Sequence, residues 1–248
     1  MSRGDAEAAV EIAYAAGQVL LALRDEGLAG PELKAAGDVA AHRCIIDLLA
    51  RRFPDDAVLS EEGVAESGAA TATGRRWIVD PLDGTREFGE PDRTDWAVHV
   101  ALVDGGVLTA GAVALPATGA TYSSAGPWPT LPPVPPAPRI LVSRTRPSEH
   151  AVAVADALAG GLVPMGSAGA KAMAVVTGAA DVYAHSGGQY VWDSAAPVAV
   201  AAAAGLHTSR LDGSPLDYAV TDPWLPDLLI CRPELAAAVI GACRVGAP

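Results

Sequence analysis

Trp77 to Phe88 reads WIVDPLDGTREF and puts two carboxylates, Asp80 and Asp83, three residues apart at the end of an apolar run. Carboxylates at such a spot can hold hard divalent cations. Behind them, Thr85-Arg86-Glu87-Phe88 can open a short helix. The free N–H groups at its start suit a phosphate. The competing reading is a strand-turn-helix corner, with Asp83 as helix cap and Asp-Gly as turn chemistry. That reading covers a lone Asp-Gly. It accounts poorly for D-P-L-D-G-T as a unit alongside two further acidic stretches, Glu61-Glu62 and Trp192-Asp193.

The elements that must position these groups follow from periodicity. Trp77-Ile78-Val79 reads as a buried strand, stopped by Asp80-Pro81 because proline brings no N–H to a ladder. Ala57 to Ser60 is a short strand that delivers Glu61, and Asp193 to Ala204 is an alanine-rich helix. Taken singly, Glu61 reads as solvated charge and Asp193 as an N-cap. Upstream, Asp5 is expected to cap a helix running to about Asp25, with Val10, Ala13, Tyr14, Gly17 and Leu21 on one face. Lys34 to Asp38 is expected as a loop, with Asp38 capping a second helix that carries Ile45, Leu48, Leu49 and Phe53 and stops before Pro54.

Residues 63–76 carry no periodicity and read as a mobile surface loop. Strands are expected at 96–103, 108–115 and 121–124, the first two joined by a Gly105-Gly106 hairpin. Residues 127–138 hold seven prolines and read as a connector between lobes. Beyond it strands (140–143, 162–165, 181–184, 228–231) alternate with helices (148–158, 168–177, 193–204, 234–243). That order implies an α/β lobe. The fold class is therefore α/β overall: an α+β lobe over 1–126, a proline-rich linker over 127–138, and an α/β lobe over 139–248.

Composition limits the function classes. A chain of 248 residues can bury a sizeable core as one large or two small domains. No uninterrupted apolar run reaches the ~20 residues of a membrane span, and the first residues lack the layout of a signal peptide. No membrane partner is expected. Cys44, Cys231 and Cys243 are odd in number and far apart, which fits a reducing cytoplasm and neither zinc nor a disulfide framework. The net charge of −12 argues against a nucleic-acid polymer as partner. An acidic protein can still take a small phosphorylated substrate where cations are concentrated in its site.

D-P-L-D-G-T, with Glu61-Glu62 before it and Trp192-Asp193-Ser194-Ala195-Ala196 after it, resembles the three signatures of the inositol monophosphatase-like family of Mg-dependent, lithium-sensitive phosphatases. The motifs stand in the family's order and span nearly the whole chain. The resemblance implies a layered αβαβα sandwich with the site between the lobes. It implies Mg2+, two or three ions: Glu61 and Asp80 on one, Asp80, Asp83 and Asp193 on a second, and the Leu82 carbonyl completing the shell. Four converging carboxylates would otherwise repel one another and raise their own pKa values. Gly84 and Thr85 would offer N–H groups to the phosphate, with Arg86 beside them, and the Thr85 hydroxyl would help orient the attacking water. Many relatives carry T-x-x-D before the second helix, where this chain has Val39-Ala40-Ala41-His42. Asp38 is the expected replacement, and His42 the alternative.

Gly166-Ser167-Ala168-Gly169-Ala170-Lys171 resembles the G-S-x-x-K stretch of the 3′(2′),5′-bisphosphate nucleotidases with one residue inserted. Ser143-Arg144 resembles their S-R pair, and Arg210 lies near where they contact substrate. The run through GGQYVWDSAAP is most similar to the actinobacterial CysQ type. The resemblance implies release of the 3′-phosphate of 3′-phosphoadenosine 5′-phosphate, a step of sulfur metabolism, with Arg144, Ser167, Lys171 and Arg210 as substrate contacts. Inositol phosphates and fructose 1,6-bisphosphate are the rival substrates, and a regulatory binding protein of the same fold is the rival class. A homodimer is left open.

Overall fold

The structure is a computed structural model that describes residues 3–63, 74–145, 147–219 and 221–245. Its first layer is a pair of long helices. α1 (Arg3–Asp25) places Ala6, Ala9, Ile12, Ala13, Ala16 and Leu20 at helical spacing, and all six are buried. α2 (Gly30–Arg52) buries Leu33, Gly37, Ala41, Ile45 and Leu49, one residue per turn. Both helices begin earlier than expected. Asp5 is not a cap: it lies within α1 and pairs with Arg75 at 2.9 Å. Lys34 to Asp38 is helix and not loop, because Pro31 sets the first turn of α2 upstream of it. Gly37 is tolerated there for a packing reason, since a Cβ on it would stand 2.7 Å from the Phe88 ring.

The helices cover a five-stranded sheet in the order β1-β2-β3-β4-β5. β1 (Ala57–Ser60) runs parallel to β2 (Arg76–Asp83). β3 (Ala97–Asp104), β4 (Val107–Leu115) and β5 (Ala120–Ser123) follow as an antiparallel meander. Proline does not end β2. The strand continues to Asp83, and its ladder with β3 shifts register between Asp80 and Asp83. Pro81 lies in that irregularity, where a missing N–H costs no ladder bond. Then Gly84, at φ 85°, turns the chain into the short helix α3 (Thr85–Phe88). Gly105 and Gly106 make the expected hairpin turn. Most of the loop expected over 63–76 falls at residues 64–73, outside the described residues, and Arg76 already belongs to β2.

The second sheet has the order β7-β6-β8-β10-β9. β6 (Arg139–Ser143) and β7 (Gly161–Met165) match the expected strands. β8 (Val182–Tyr190) and β10 (Trp224–Cys231) are longer than expected, and β9 (His207–Ser209) was not expected. Their extra residues include Gly187-Gly188 and Pro226, which break a strand pattern in sequence. Antiparallel pairing of β8 with β10 still carries them, with a register shift between Leu225 and Asp227.

α4 (Glu149–Ala157) and α7 (Ala236–Val245) pack on the outer face of this sheet, around Ile140, Val154, Val182, Leu229 and Val239. α5 (Ala168–Val176) and α6 (Val191–Ala203) fill the space between the sheets. One buried cluster joins Ile78, Ala101 and Val113, Met173, Trp192 and Val200, and Leu141, Tyr183 and Leu228. The layers are therefore αβαβα. The proline segment links β5 to β6 and is tied at its start and its middle: Trp128 Nε1 donates to Ser123 O at 3.0 Å, and Arg232 Nη2 to Pro132 O at 2.8 Å.

Candidate active site

β2 carries Asp80 and Asp83 to the gap between the sheets, and the first turn of α6 carries Asp193. Oxygens of the three carboxylates lie within 4.8 Å of one another. Each is oriented by backbone: Leu82 N–H donates to Asp80 Oδ1 at 3.0 Å, Gly169 N–H to Asp83 Oδ2 at 2.7 Å, and Tyr190 N–H to Asp193 Oδ2 at 2.6 Å. Glu61, just past β1, stands at the exposed rim and comes close enough to Asp80 to share a hydrogen bond.

Crowding shows in the electrostatics. Burial, then Asp83, Glu61 and Asp193, push Asp80 well above the usual carboxylate range. Burial and Asp193 push Glu61 to about 7, and burial and Asp83 push Asp193 to about 6. Three carboxylates are raised in this way by burial and by their neighbours, and with Asp83 they form an all-oxygen donor set. That set fits a hard divalent cation. Asp83 is the exception. Burial would raise it, but His99, the Ser167 hydroxyl and the Gly169 N–H outweigh burial and hold it well below the usual range.

Two further groups flank the carboxylates. Asp38, on α2, is in hydrogen-bond contact with Thr85, and burial plus the charge of Glu62 raise it to about 6. The Thr85 hydroxyl also lies 3.1 Å from the Leu82 carbonyl. His42 instead turns to Ser60, with Nδ1 3.0 Å from Oγ. Lys171 is buried on α5, its Nζ 3.5 Å from Gly166 O and 5.1 Å from the centre of the Tyr183 ring. Burial lowers its pKa, against the pull of Asp83 and other nearby carboxylates.

A cavity of about 310 Å3 opens beside these groups, and Gly84, Thr85, Arg86, Arg144, Ser167 and Lys171 all line it. Six of the residues expected at the substrate therefore meet in one place. Arg210 is not among them. Asp227 holds its guanidinium in a bidentate pair at 2.7 Å. Arg144 lines the cavity but is also paired with Glu90 at 2.8 Å and Glu87 at 3.3 Å, so its charge is largely matched. A second cavity of about 600 Å3 lies along the ends of β6 and β8, lined by Tyr183, His185 and His150, and shares Ser143 and Thr145 with the first.

Sequence reasoning missed His99. It stands in the run WAVHVALV, where a single histidine in a buried strand reads as core. The available signal was a polar residue in a strand otherwise apolar on both faces. It also missed Asp95, which accepts the Gly166 N–H at 2.6 Å and so anchors the loop before α5.

The chain is 48% identical to the 3′-phosphoadenosine 5′-phosphate phosphatase of Mycobacterium leprae, over 97% of its own length and 93% of that protein's. It is 34% identical to the 3′(2′),5′-bisphosphate nucleotidase CysQ of Escherichia coli, over 77% and 81% of the two chains. Its fold matches the crystal structure of CysQ from Bacteroides thetaiotaomicron with a TM-score of 0.74 at 26% identity, covering 93% of this chain and 97% of that one. The model of the inositol monophosphatase family matches residues 4–127 and 138–243, and the chain belongs to that family.

Proposed function

We propose that the protein is a cytoplasmic Mg2+-dependent phosphatase that releases the 3′-phosphate of 3′-phosphoadenosine 5′-phosphate, giving AMP and phosphate. The observation that carries this reading is the pairing of cavities. A cavity of about 310 Å3 with a buried lysine lies beside the carboxylate cluster, and a larger cavity of about 600 Å3 continues from it with room for the rest of a nucleotide. An inositol monophosphate would need the first space alone. The 48% identity to a phosphatase of that specificity, across nearly the full length of both chains, supports the same substrate.

Glu61, Asp80, Asp83, Asp193 and the Leu82 carbonyl would hold two or three Mg2+ ions. Bound Mg2+ supplies Lewis acidity, lowering the pKa of a coordinated water and stabilising the leaving alkoxide. The chain's own residues do the positioning. Gly84 and Thr85 present N–H groups at the start of α3, and Arg86 and Lys171 add positive charge to the cavity wall. Thr85 Oγ1, which donates to the Leu82 carbonyl, would orient the attacking water, and Asp38 in contact with it would accept the proton the water gives up. Ser167 gives its hydroxyl proton to Asp83, so it acts on a carboxylate and lines the cavity at once.

The test is a comparison of kcat/KM for 3′-phosphoadenosine 5′-phosphate, inositol 1-phosphate and fructose 1,6-bisphosphate at one Mg2+ concentration. The bisphosphate nucleotide is expected to lead. A lead for either sugar-type substrate overturns the substrate, and full activity in excess chelator overturns the metal.

A further inference from the structure

His99 lies on β3, fully buried, and touches one proposed metal ligand and the peptide that precedes another. Its Nδ1 is 3.0 Å from the Trp192 carbonyl, the peptide oxygen immediately before Asp193. A carbonyl and a carboxylate both only accept, so the ring that meets Trp192 O through Nδ1 and Asp83 through Nε2 carries a proton on each nitrogen. Its Nε2 is 3.2 Å from Asp83 Oδ2, within ion-pair range but outside the alignment of a full hydrogen bond. The Ser167 hydroxyl and the Gly169 N–H converge on that same Oδ2.

Gly169 completes the arrangement. It sits in the first turn of α5 with no positive φ to require glycine, yet a Cβ there would stand 2.1 Å from His99 Nε2. The missing side chain makes the space that the imidazole occupies.

We propose that His99 is a positioning residue for the metal centre: wedged against Gly169 between the sheets, it fixes Asp83 through Nε2 and the start of α6, hence Asp193, through Nδ1. With three groups on Oδ2, Asp83 is left Oδ1 as its ligand atom. Removing a support of this kind typically weakens metal affinity or activity by roughly 10- to 100-fold. The inference rests on the metal-dependent reading of the site.

Mn2+ binding to the full-length protein, followed by the EPR signal of free Mn2+ without substrate, separates the alternatives. His99→Ala and Gly169→Ala are each expected to weaken binding by about 10- to 100-fold. His99→Asn, which keeps a donor for the Trp192 carbonyl and lacks Nε2, is expected between Ala and wild type. In the His99→Ala background, Gly169→Ala should cost less than it does in the wild type, since the severe clash is gone and only the Ala97 Cβ at 3.0 Å remains close. Unchanged Mn2+ affinity in His99→Ala or His99→Asn, with only the melting temperature lowered, would reduce His99 to a core residue and overturn the proposal. If His99→Ala does not fold, His99→Asn and Gly169→Ala make the same comparison. A wild-type protein that binds no Mn2+ would overturn the metal reading itself, which is a different result.

Discussion

Asp38 and Thr85 come from helices far apart in sequence, and their side chains meet by a hydrogen bond at the edge of the carboxylate cluster. Asp38 occupies mid-helix in α2 and so cannot cap it. Its side chain is freed to serve the neighbouring layer.

That contact ranks two variants. Asp38→Asn removes the proton acceptor and should lower kcat by a factor on the order of 10²–10⁴ with little change in KM. His42→Ala should be mild, because His42 faces Ser60 and not Thr85. Steady-state kinetics at saturating Mg2+ check this, and the reverse ranking would give the role to His42.

Asp80 and Asp83 should respond oppositely to the same substitution. A carboxyl whose folded-state pKa is raised costs stability once pH exceeds its unfolded value, so Asp80→Asn should relieve the metal-free fold at pH 7.5. Each kcal/mol relieved raises Tm by about 2–4 °C in a chain of this size. Asp83, held below its ordinary value, stabilises the fold above that value, so Asp83→Asn should lower Tm. Calorimetry in chelator reads both. Turnover should vanish in each, and a stable Asp83→Asn protein with full activity would contradict the assignment.

Metal affinity should weaken as pH falls from 8 to 6. Glu61 at about 7 and Asp193 at about 6 take up protons in that window when no cation is bound, and protons compete with metal for the same oxygens. Mg2+ titrations at pH 8, 7 and 6 should show the apparent Kd rising by up to about tenfold per pH unit for each proton displaced. A Kd independent of pH would mean that these carboxylates are not the ligands.

Lys171→Met keeps the buried volume and removes the charge. A charge-assisted bond to phosphate contributes roughly 1.5–3 kcal/mol, so kcat/KM for the bisphosphate nucleotide should fall about ten- to a hundredfold. Inositol 1-phosphate hydrolysis should fall by a similar factor, because Lys171 lines the cavity beside the carboxylates that the phosphate of either substrate enters. A loss confined to the nucleotide would place Lys171 at its second phosphate instead.

The acidic cluster is readable in sequence because Asp80, Asp83 and Asp193 lie in short motifs whose residue types admit few structural explanations. The layers are readable because the strands and helices that build them are periodic. What escaped was set by tertiary contact. Pro81 stays in a strand because a register shift absorbs it, and Gly37 sits inside a helix because the Phe88 ring takes the space a side chain would need. Arg210 looked free for phosphate because its partner Asp227 lies 17 residues away on β10. His99 gained its significance only from Gly169, a residue on another layer.

The middle helices have a further consequence. α5 is buried along its whole length, and α6 nearly so, by side chains from both sheets. A protease that cut the proline segment would therefore sever the covalent connection without parting the halves. Neither fragment could close its own apolar face, so the nicked molecule would survive as a non-covalent pair, and either half made alone would be insoluble.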